Sequence, residues 1–252
     1  MVNSRDTYKR FAQFYDTYVG DFRADLPFYL SQCEKGRRIL EIGCGTGRVL
    51  RAFLEKGYQI TGADISPEML SIAAQKLSEH LMGGTLTLLD HDFRFSPLNQ
   101  QFDRVLVTFY TFNYLLEDKE QSDFLRNVSA SMASKALIML DLFYPASKSK
   151  PEIDGQWQES TYETKKGRAI LRQRRIMLGD VEERIQVYIE GESREEILTH
   201  RKHIPKENLA ALLTEAGFAN VRVAHGYSTP DLHRLERGEA TTSSFLMIAE
   251  KP

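Results

Sequence analysis

The chain has 252 residues, 42% of them hydrophobic and 27% charged, which is enough apolar material for a full core and excludes a disordered or fibrous protein. Thirty-three basic residues against 35 acidic ones leave a net charge of −2, without the positive field that would hold a nucleic-acid backbone. The N-terminal residues lack the apolar stretch of a signal peptide, and no later run reaches membrane-spanning length, so a cytoplasmic monomer or homodimer is expected, with neither nucleic acid nor membrane as partner. Cys33 and Cys44 are the only cysteines. They form no C-x-x-C pair and keep no metal-ligand spacing with a histidine, so both read as free thiols and no metal site is expected.

In chain order, aromatic residues at Tyr8, Phe11, Tyr15, Tyr18 and Phe22 recur every three or four positions, which predicts an amphipathic helix over 5–22 within an N-terminal segment, 1–30. Its aromatic face either packs into the core or closes over a ligand as a lid. Apolar runs at 37–42 and 58–63 predict strands, joined by a helix over 47–57 that ends near Gly57. Ser66 and Pro67 open the next helix with a cap and a first-turn proline, continued by Met69, Leu70, Ile72, Ala73 and Leu77. Strands near 85–90, 102–108 and 135–142 follow, with a helix around 119–132 between the last two. This alternation predicts an α/β, doubly wound, mostly parallel sheet, whose ligands sit beyond the carboxyl ends of the strands. Glu41, Asp64, Asp92, Thr108 and Asp141 all fall at or near such ends.

From Pro145 the helical pattern stops. Residues 145–151 read as a polar linker, and segments 156–164, 168–178, 181–190 and 195–204 alternate with glycine turn signals, which predicts an antiparallel meander. Pro205 then opens a helix that runs to Gly217, and strands at 219–224 and 243–250 complete the sheet. The expected organisation is an N-terminal lid over 1–30, an α/β core over 31–145 and 204–252, and a β insertion over 146–203 that caps the substrate.

The run Ile39-Leu-Glu-Ile-Gly-Cys-Gly-Thr-Gly-Arg48 carries the functional signal. It reads as a strand, a glycine turn and a helix start. Gly43 and Gly45 allow a tight turn, and Gly47 leaves room for a ligand beside the helix N-terminus. Asp64, at the end of the second strand, suits the two hydroxyls of a ribose, so the whole is a site for an adenosine cofactor. A dinucleotide fingerprint requires a third glycine where Arg48 stands, which disfavours an NAD-dependent oxidoreductase. Glu41 puts a carboxylate beside the turn, where a pyrophosphate would be repelled and a cationic ligand favoured.

Glu41-Ile-Gly-Cys-Gly-Thr-Gly47 resembles the first motif of the class I S-adenosylmethionine-dependent methyltransferases. Gly62-Ala-Asp64-Ile-Ser-Pro-Glu-Met69-Leu resembles their second motif, His91-Asp92-Phe93 their acid after the third strand, Gln101 to Thr108 their fourth strand, and Leu213 to Phe218 their late helix exit. The resemblance covers roughly 8–145 and 203–252, in the family's order. It implies a Rossmann-like seven-stranded sheet, and the insertion is similar to that of amino-sugar N-methyltransferases. It further implies S-adenosyl-L-methionine as cofactor, S-adenosyl-L-homocysteine as product, and transfer of a methyl group to an N or O nucleophile of a small-molecule acceptor.

Carried over residue by residue, Glu41, Gly43, Cys44 and Gly45 stand beside the methionine portion, with Cys44 fitting as a small side chain, and Asp64 takes the ribose. Asp92 and Phe93 mark the adenine edge, Ile65 and Met69 its face, and Thr108 borders the amino acid moiety. Tyr18 would approach the cofactor from the lid. For chemistry the candidates are Tyr15 on the lid, Asn113 after the fourth strand, which would orient a polar group or brace a loop, and His225 as a general base at a strand end. Arg172 and Arg174 share a meander face that is solvated or meets an anionic substrate, and Trp157 reads as meander core. Phe109 to Tyr114 lacks the Asp/Asn-Pro-Pro-Tyr/Phe pattern of base-modifying amino methyltransferases, and Ala133 to Ala136 departs from the Gly-Gly turn common before the fifth strand. The alternative reading is a cofactor-binding protein without transferase activity, with the β insertion as a partner or regulatory surface.

Overall fold

The computed structural model describes residues 12–17, 19, 22–144, 155–164, 167–225, 227, 233–234 and 244–252. Helix α1 covers 12–17. Then come α2 (Leu26–Ser31), β1 (Ile39–Ile42), α3 (Arg48–Glu55), β2 (Ile60–Asp64), α4 (Pro67–Lys76), α5 (Ser78–Met82), β3 (Leu86–Asp90) and β4 (Phe102–Val107). A 3-10 turn at Thr111–Tyr114 leads to α6 (Asp118–Ala130) and the long β5 (Met132–Phe143). The insertion supplies β6 (Gln158–Thr164), β7 (Gly167–Leu178), β8 (Val181–Glu190) and β9 (Ser193–Lys202). The chain closes with α7 (Lys206–Glu215), β10 (Ala219–His225), β11 (His233–Arg234) and β12 (Ser244–Glu250).

The main sheet runs β11-β10-β12-β5-β4-β1-β2-β3. Strands β1 to β5 are mutually parallel, and β12 inserts antiparallel between β5 and β10. Seven strands are the expected set, and the two-residue β11 extends the edge. Both faces are covered, as a parallel sheet requires. Leu40, Val105, Ile138 and Leu140 pack with Phe124, Leu125 and Val128 of α6 and Leu209 and Leu213 of α7. Ile39, Leu106 and Met139, pointing the other way, pack with Phe28 and Tyr29 of α2 and Leu50 and Phe53 of α3.

Local chemistry sets the boundaries. Ser66 Oγ accepts the Met69 amide at 3.3 Å and Pro67 stands in the first turn, so α4 begins where the sequence predicts. The predicted serine-proline helix ends at Lys76, and α5 follows as a separate short helix. Helix α6 opens with a capping box between Glu117 and Glu120. Helix α2, six residues long, has no counterpart in the sequence reading because one and a half turns carry too little periodicity to register. Of the predicted aromatic helix, 12–17 is helical; Tyr8, Phe11 and Tyr18 lie outside the described residues, as does the linker at 145–151.

Strands β6 to β9 form the antiparallel meander as a separate sheet. Two of its contacts with the core lie on one face. Tyr188 stacks on Phe14 of α1 with ring centroids 4.0 Å apart, and the Arg201 guanidinium lies 4.7 Å over the Phe143 ring at the end of β5. Trp157 is not meander core: it is 45% exposed, with the Arg172 and Arg174 guanidinium groups each 5.5 Å from its ring.

Candidate active site

The turn after β1 is held from the neighbouring strand. The amides of Gly43 and Cys44 donate to the Ala63 carbonyl at 2.8 and 3.1 Å, and the Gly45 amide donates to Asp64 Oδ2 at 2.8 Å. Asp64 Oδ1 accepts the Ser66 amide at 2.9 Å, so one carboxylate fixes both the glycine turn and the start of α4. Burial raises the Asp64 pKa, against the lowering effect of these amides. The Ile65 amide adds a third such bond, and the carboxylate's remaining acceptor capacity faces the cleft that it lines.

The glycines divide the work differently from the sequence reading. Gly45 faces open space, where a Cβ would meet only Tyr15 Cε1 at 3.8 Å. Gly47 does not make room for a ligand: its φ is +85°, and a Cβ there would stand 2.9 Å from Leu77 and 3.4 Å from Ala73, so it admits α4 and the residue after it. A Cβ at Gly43 would strike Thr111 Oγ1 at 2.3 Å. Thr111 is brought there by two consecutive left-handed residues, Phe109 (φ 48°) and Tyr110 (φ 68°), after β4. Such backbone strain in aromatic residues is concentrated at sites where the surrounding structure imposes it.

A cleft enclosing about 880 Å³, its open mouth included, lies beyond the carboxyl ends of β1, β2 and β3. Of the predicted residues, Tyr15, Gly43, Gly45, Asp64, Ile65, Met69, Asp92 and Phe93 line it. Ile42, Arg94, Thr111, Tyr114, Leu115 and Phe124 join them. The His91 ring meets Phe93 edge-on, centroids 4.6 Å apart, and its Nε2 lies 2.9 Å from the Ser96 carbonyl. Asp92 is already engaged: Arg94 binds its two oxygens at 2.7 and 3.0 Å and reaches Glu120 at 3.1 Å. Burial works against the Asp92 charge, but the Arg94 side chain and amide outweigh it and lower the pKa.

Glu41, Thr108 and Cys44 stand behind the wall of the cleft. Thr108 Oγ1 donates to Glu41 Oε1 at 2.8 Å, while Glu41 Oε2 is buried without a partner. Burial pushes the Glu41 carboxyl up to about 8, opposed by the Thr108 hydrogen bond. Cys44 turns its sulfur toward Gly62 and the α3 core, where burial raises the thiol pKa well above its usual range, so its contribution to the turn is its backbone.

A carboxyl held neutral by folding makes stability fall as pH rises. The Glu41 share is fully present below the ordinary carboxylate range near 4.5 and is lost as pH climbs through about 8. Asp141, buried on β5 and pushed up to about 7 by that burial despite hydrogen bonds from Tyr227 and Tyr29, acts in the same direction. The Glu41→Gln variant is therefore expected to lose less stability than the parent between mildly acid and mildly alkaline pH. The difference should approach about 1.4 kcal/mol per pH unit in denaturant melts. Parallel curves for the two proteins would contradict the burial of an ionisable Glu41.

The chemical candidates fare unequally. Tyr15 reaches the cleft. Asn113 is buried as a brace, not as a substrate contact: its amide nitrogen donates to the carbonyls of Phe143 at 3.1 Å and Lys202 at 2.7 Å, and its oxygen accepts the Phe143 amide at 2.9 Å. These bonds pin the turn after β4 to the ends of β5 and β9. His225 ends β10, and its side chain lies outside the described residues, as does Tyr18. His203 is buried beside Glu182, within the ion cluster that also takes in Arg184 and Arg201, and His200 pairs with Glu183 at 3.2 Å.

The sequence missed how the N-terminal segment is tied down. Asp16 accepts from Thr46 Oγ1 at 2.5 Å and pairs with Lys76 at 2.8 Å, seating α1 on the glycine turn. Arg48 binds the fully buried Asp25 through two hydrogen bonds, at 2.8 and 2.6 Å, donates to the Phe22 carbonyl, and lies over the rings of Phe22 and Phe109.

This strand order, with the last strand antiparallel, a glycine turn after β1 and an acid ending β2, defines the class I methyltransferase fold. Residues 39–135 match the family described as "Methyltransferase domain". YqeM of Bacillus subtilis (strain 168), provisionally named a methyltransferase, is 33% identical over 129 residues, 51% of this chain and 48% of that protein. The chain thus matches about half the length of this curated relative. Among solved structures, the CcbJ methyltransferase of Streptomyces caelestis superposes with a TM-score of 0.79 at 19% identity, covering 97% of this chain and 98% of that one. The sugar N-methyltransferase KedS8 of a Streptoalloteichus species gives 0.71 at 19% identity, covering 96% and 92%.

Proposed function

We propose that this protein is an S-adenosylmethionine-dependent methyltransferase acting on a small-molecule acceptor through an N or O nucleophile. The observation that carries the reading is the cleft in which Gly45 faces open space, the Asp64 carboxylate stands at one wall, and Ile65, Met69, Phe93 and Phe124 supply an apolar slot. That donor set suits an adenosine group: Asp64 takes the ribose hydroxyls, and the apolar residues flank the base. Glu41 Oε2, buried without a hydrogen-bond partner behind the glycine turn, is the acceptor for the ammonium at the cofactor's amino acid end, whose charge would draw the carboxyl back to its ionised form. Bound there, S-adenosylmethionine supplies an electrophilic methyl group.

The chain's own contribution is positioning and exclusion of water. Helix α1, seated on the glycine turn by Asp16, places Tyr15 at the cleft mouth. We take 1–30 as the lid, 31–145 with 204–252 as the cofactor-binding core and 146–203 as the cap over the acceptor. The stacked Phe14 and Tyr188 support this division, because they join lid to cap beside the cleft. Likeness to the sugar N-methyltransferase KedS8 over nearly the whole chain supports a small acceptor. The test is incubation with S-adenosylmethionine and panels of amines, alcohols and carboxylates, with mass spectrometry of the products. A gain of one methyl group with matching S-adenosylhomocysteine is expected. Cofactor binding without product across all panels would instead favour a binding protein.

A further inference from the structure

The capping sheet carries a second, smaller cavity of about 260 Å³, away from the cofactor cleft, lined by Gln156, Gln158, Gln173, Arg174, Arg175 and Arg184. Arg175 and Arg184, cross-strand partners, bring two guanidinium groups to one face of the sheet there, while Arg174 stands on the other face; among the described residues no carboxylate lines the space. Arg184 is tied to the buried Glu182 at 2.8 Å, and Arg174 lies over Trp157. On the face shared with Arg184, the Nε of Arg175 is buried without a hydrogen-bond partner. Buried guanidinium donors left unmatched are costly, and a planar fork of N–H groups matches the oxygens of a phosphate.

Strand register shows which way the cavity faces. Gln173 pairs with Gln186 and Arg175 with Arg184, on the same face as Leu171 paired with Tyr188 and Glu182 paired with Arg201. Tyr188 is the contact to α1, and Arg201 the contact to Phe143 at the end of β5. Arg175 and Arg184 therefore lie between these two contacts with the core, on the face turned toward it.

We propose that this arginine cavity binds a phosphate-type oxyanion and, resting on the methyltransferase reading above, that it holds a phosphate carried by the acceptor while the acceptor's nucleophile reaches the cleft. The experiment is calorimetric titration of the full chain with inorganic phosphate and, separately, glucose 1-phosphate. Both are run beside S-adenosylhomocysteine, for wild type, Arg175→Gln and, as a control on the opposite face, Arg174→Gln. Saturable anion binding is expected in the wild type, weakened about tenfold or more in Arg175→Gln and little changed in Arg174→Gln, with S-adenosylhomocysteine affinity unchanged in both. Tighter binding of the sugar phosphate than of inorganic phosphate assigns the oxyanion to an acceptor; equal binding assigns it to free phosphate and overturns the acceptor role. No saturable anion binding, or binding indifferent to Arg175→Gln, overturns the site. The S-adenosylhomocysteine titration reports on the cofactor cleft alone, so failure of the arginine site is distinguishable from failure of the methyltransferase reading.

Discussion

Replacing Asp64 with alanine is expected to weaken S-adenosylhomocysteine binding by about a hundredfold or more. A hydrogen bond to a charged group contributes about 1.5–3 kcal/mol, and a ribose diol offers two, so roughly 3 kcal/mol or more is at stake, at 1.4 kcal/mol per decade. The carboxylate has a second role, holding the Gly45 and Ser66 amides at 2.8 and 2.9 Å. Asp64→Asn separates the two. It keeps one carbonyl oxygen for an amide but loses the charge and half of the acceptor capacity, so its affinity should fall between those of the parent and Asp64→Ala. Circular dichroism should show the sheet retained in both variants. Unchanged affinity in Asp64→Ala would remove the ribose assignment.

The second large effect is on stability. Arg48→Met leaves the Asp25 carboxylate, with 0% exposure, without its cation, and breaking a buried pair in this way costs about 3–5 kcal/mol. For a chain of this size that corresponds to a fall of roughly 10 °C in thermal midpoint. The loss should be recovered largely in the Arg48→Met/Asp25→Leu double variant, since removing both charges removes the uncompensated one. A double variant no better than Arg48→Met would show that Arg48 acts through its stacking on Phe22 and Phe109 rather than through the ion pair. Because the pair joins the segment before α2 to the first turn of α3, cofactor affinity should fall with stability, the glycine turn losing its support.

What was legible in the sequence is what local chemistry determines. The capped start of α4 owes its place to neighbours within a few residues, and the β1 turn and Asp64, though bonded to each other across nineteen residues, each end a strand that the local pattern displays; Phe93 follows β3 in the same way, and all reach the cleft or its wall. Where partners are distant in the chain, the residue type alone misleads. Gly47 is demanded by Leu77, thirty positions on, and not by a ligand. Asn113 looks like a substrate contact until Phe143 and Lys202 arrive to use up its amide. Arg48 registers in the sequence only as too bulky for a dinucleotide turn, and nothing local announces Asp25, twenty-three residues earlier. Trp157 shows the limit of alternation: period two separates the faces of a strand but does not say which face is covered.

The central claim is that the cleft beside Asp64 takes a sulfonium-type adenosine cofactor, and calorimetric titration of the purified chain with S-adenosylhomocysteine tests it most directly, with NAD as the parallel titrant. Saturable binding of one S-adenosylhomocysteine per chain, lost in Asp64→Ala, with no heat from NAD, is the expected result. No binding of S-adenosylhomocysteine or S-adenosylmethionine, or preferential binding of NAD, would contradict it.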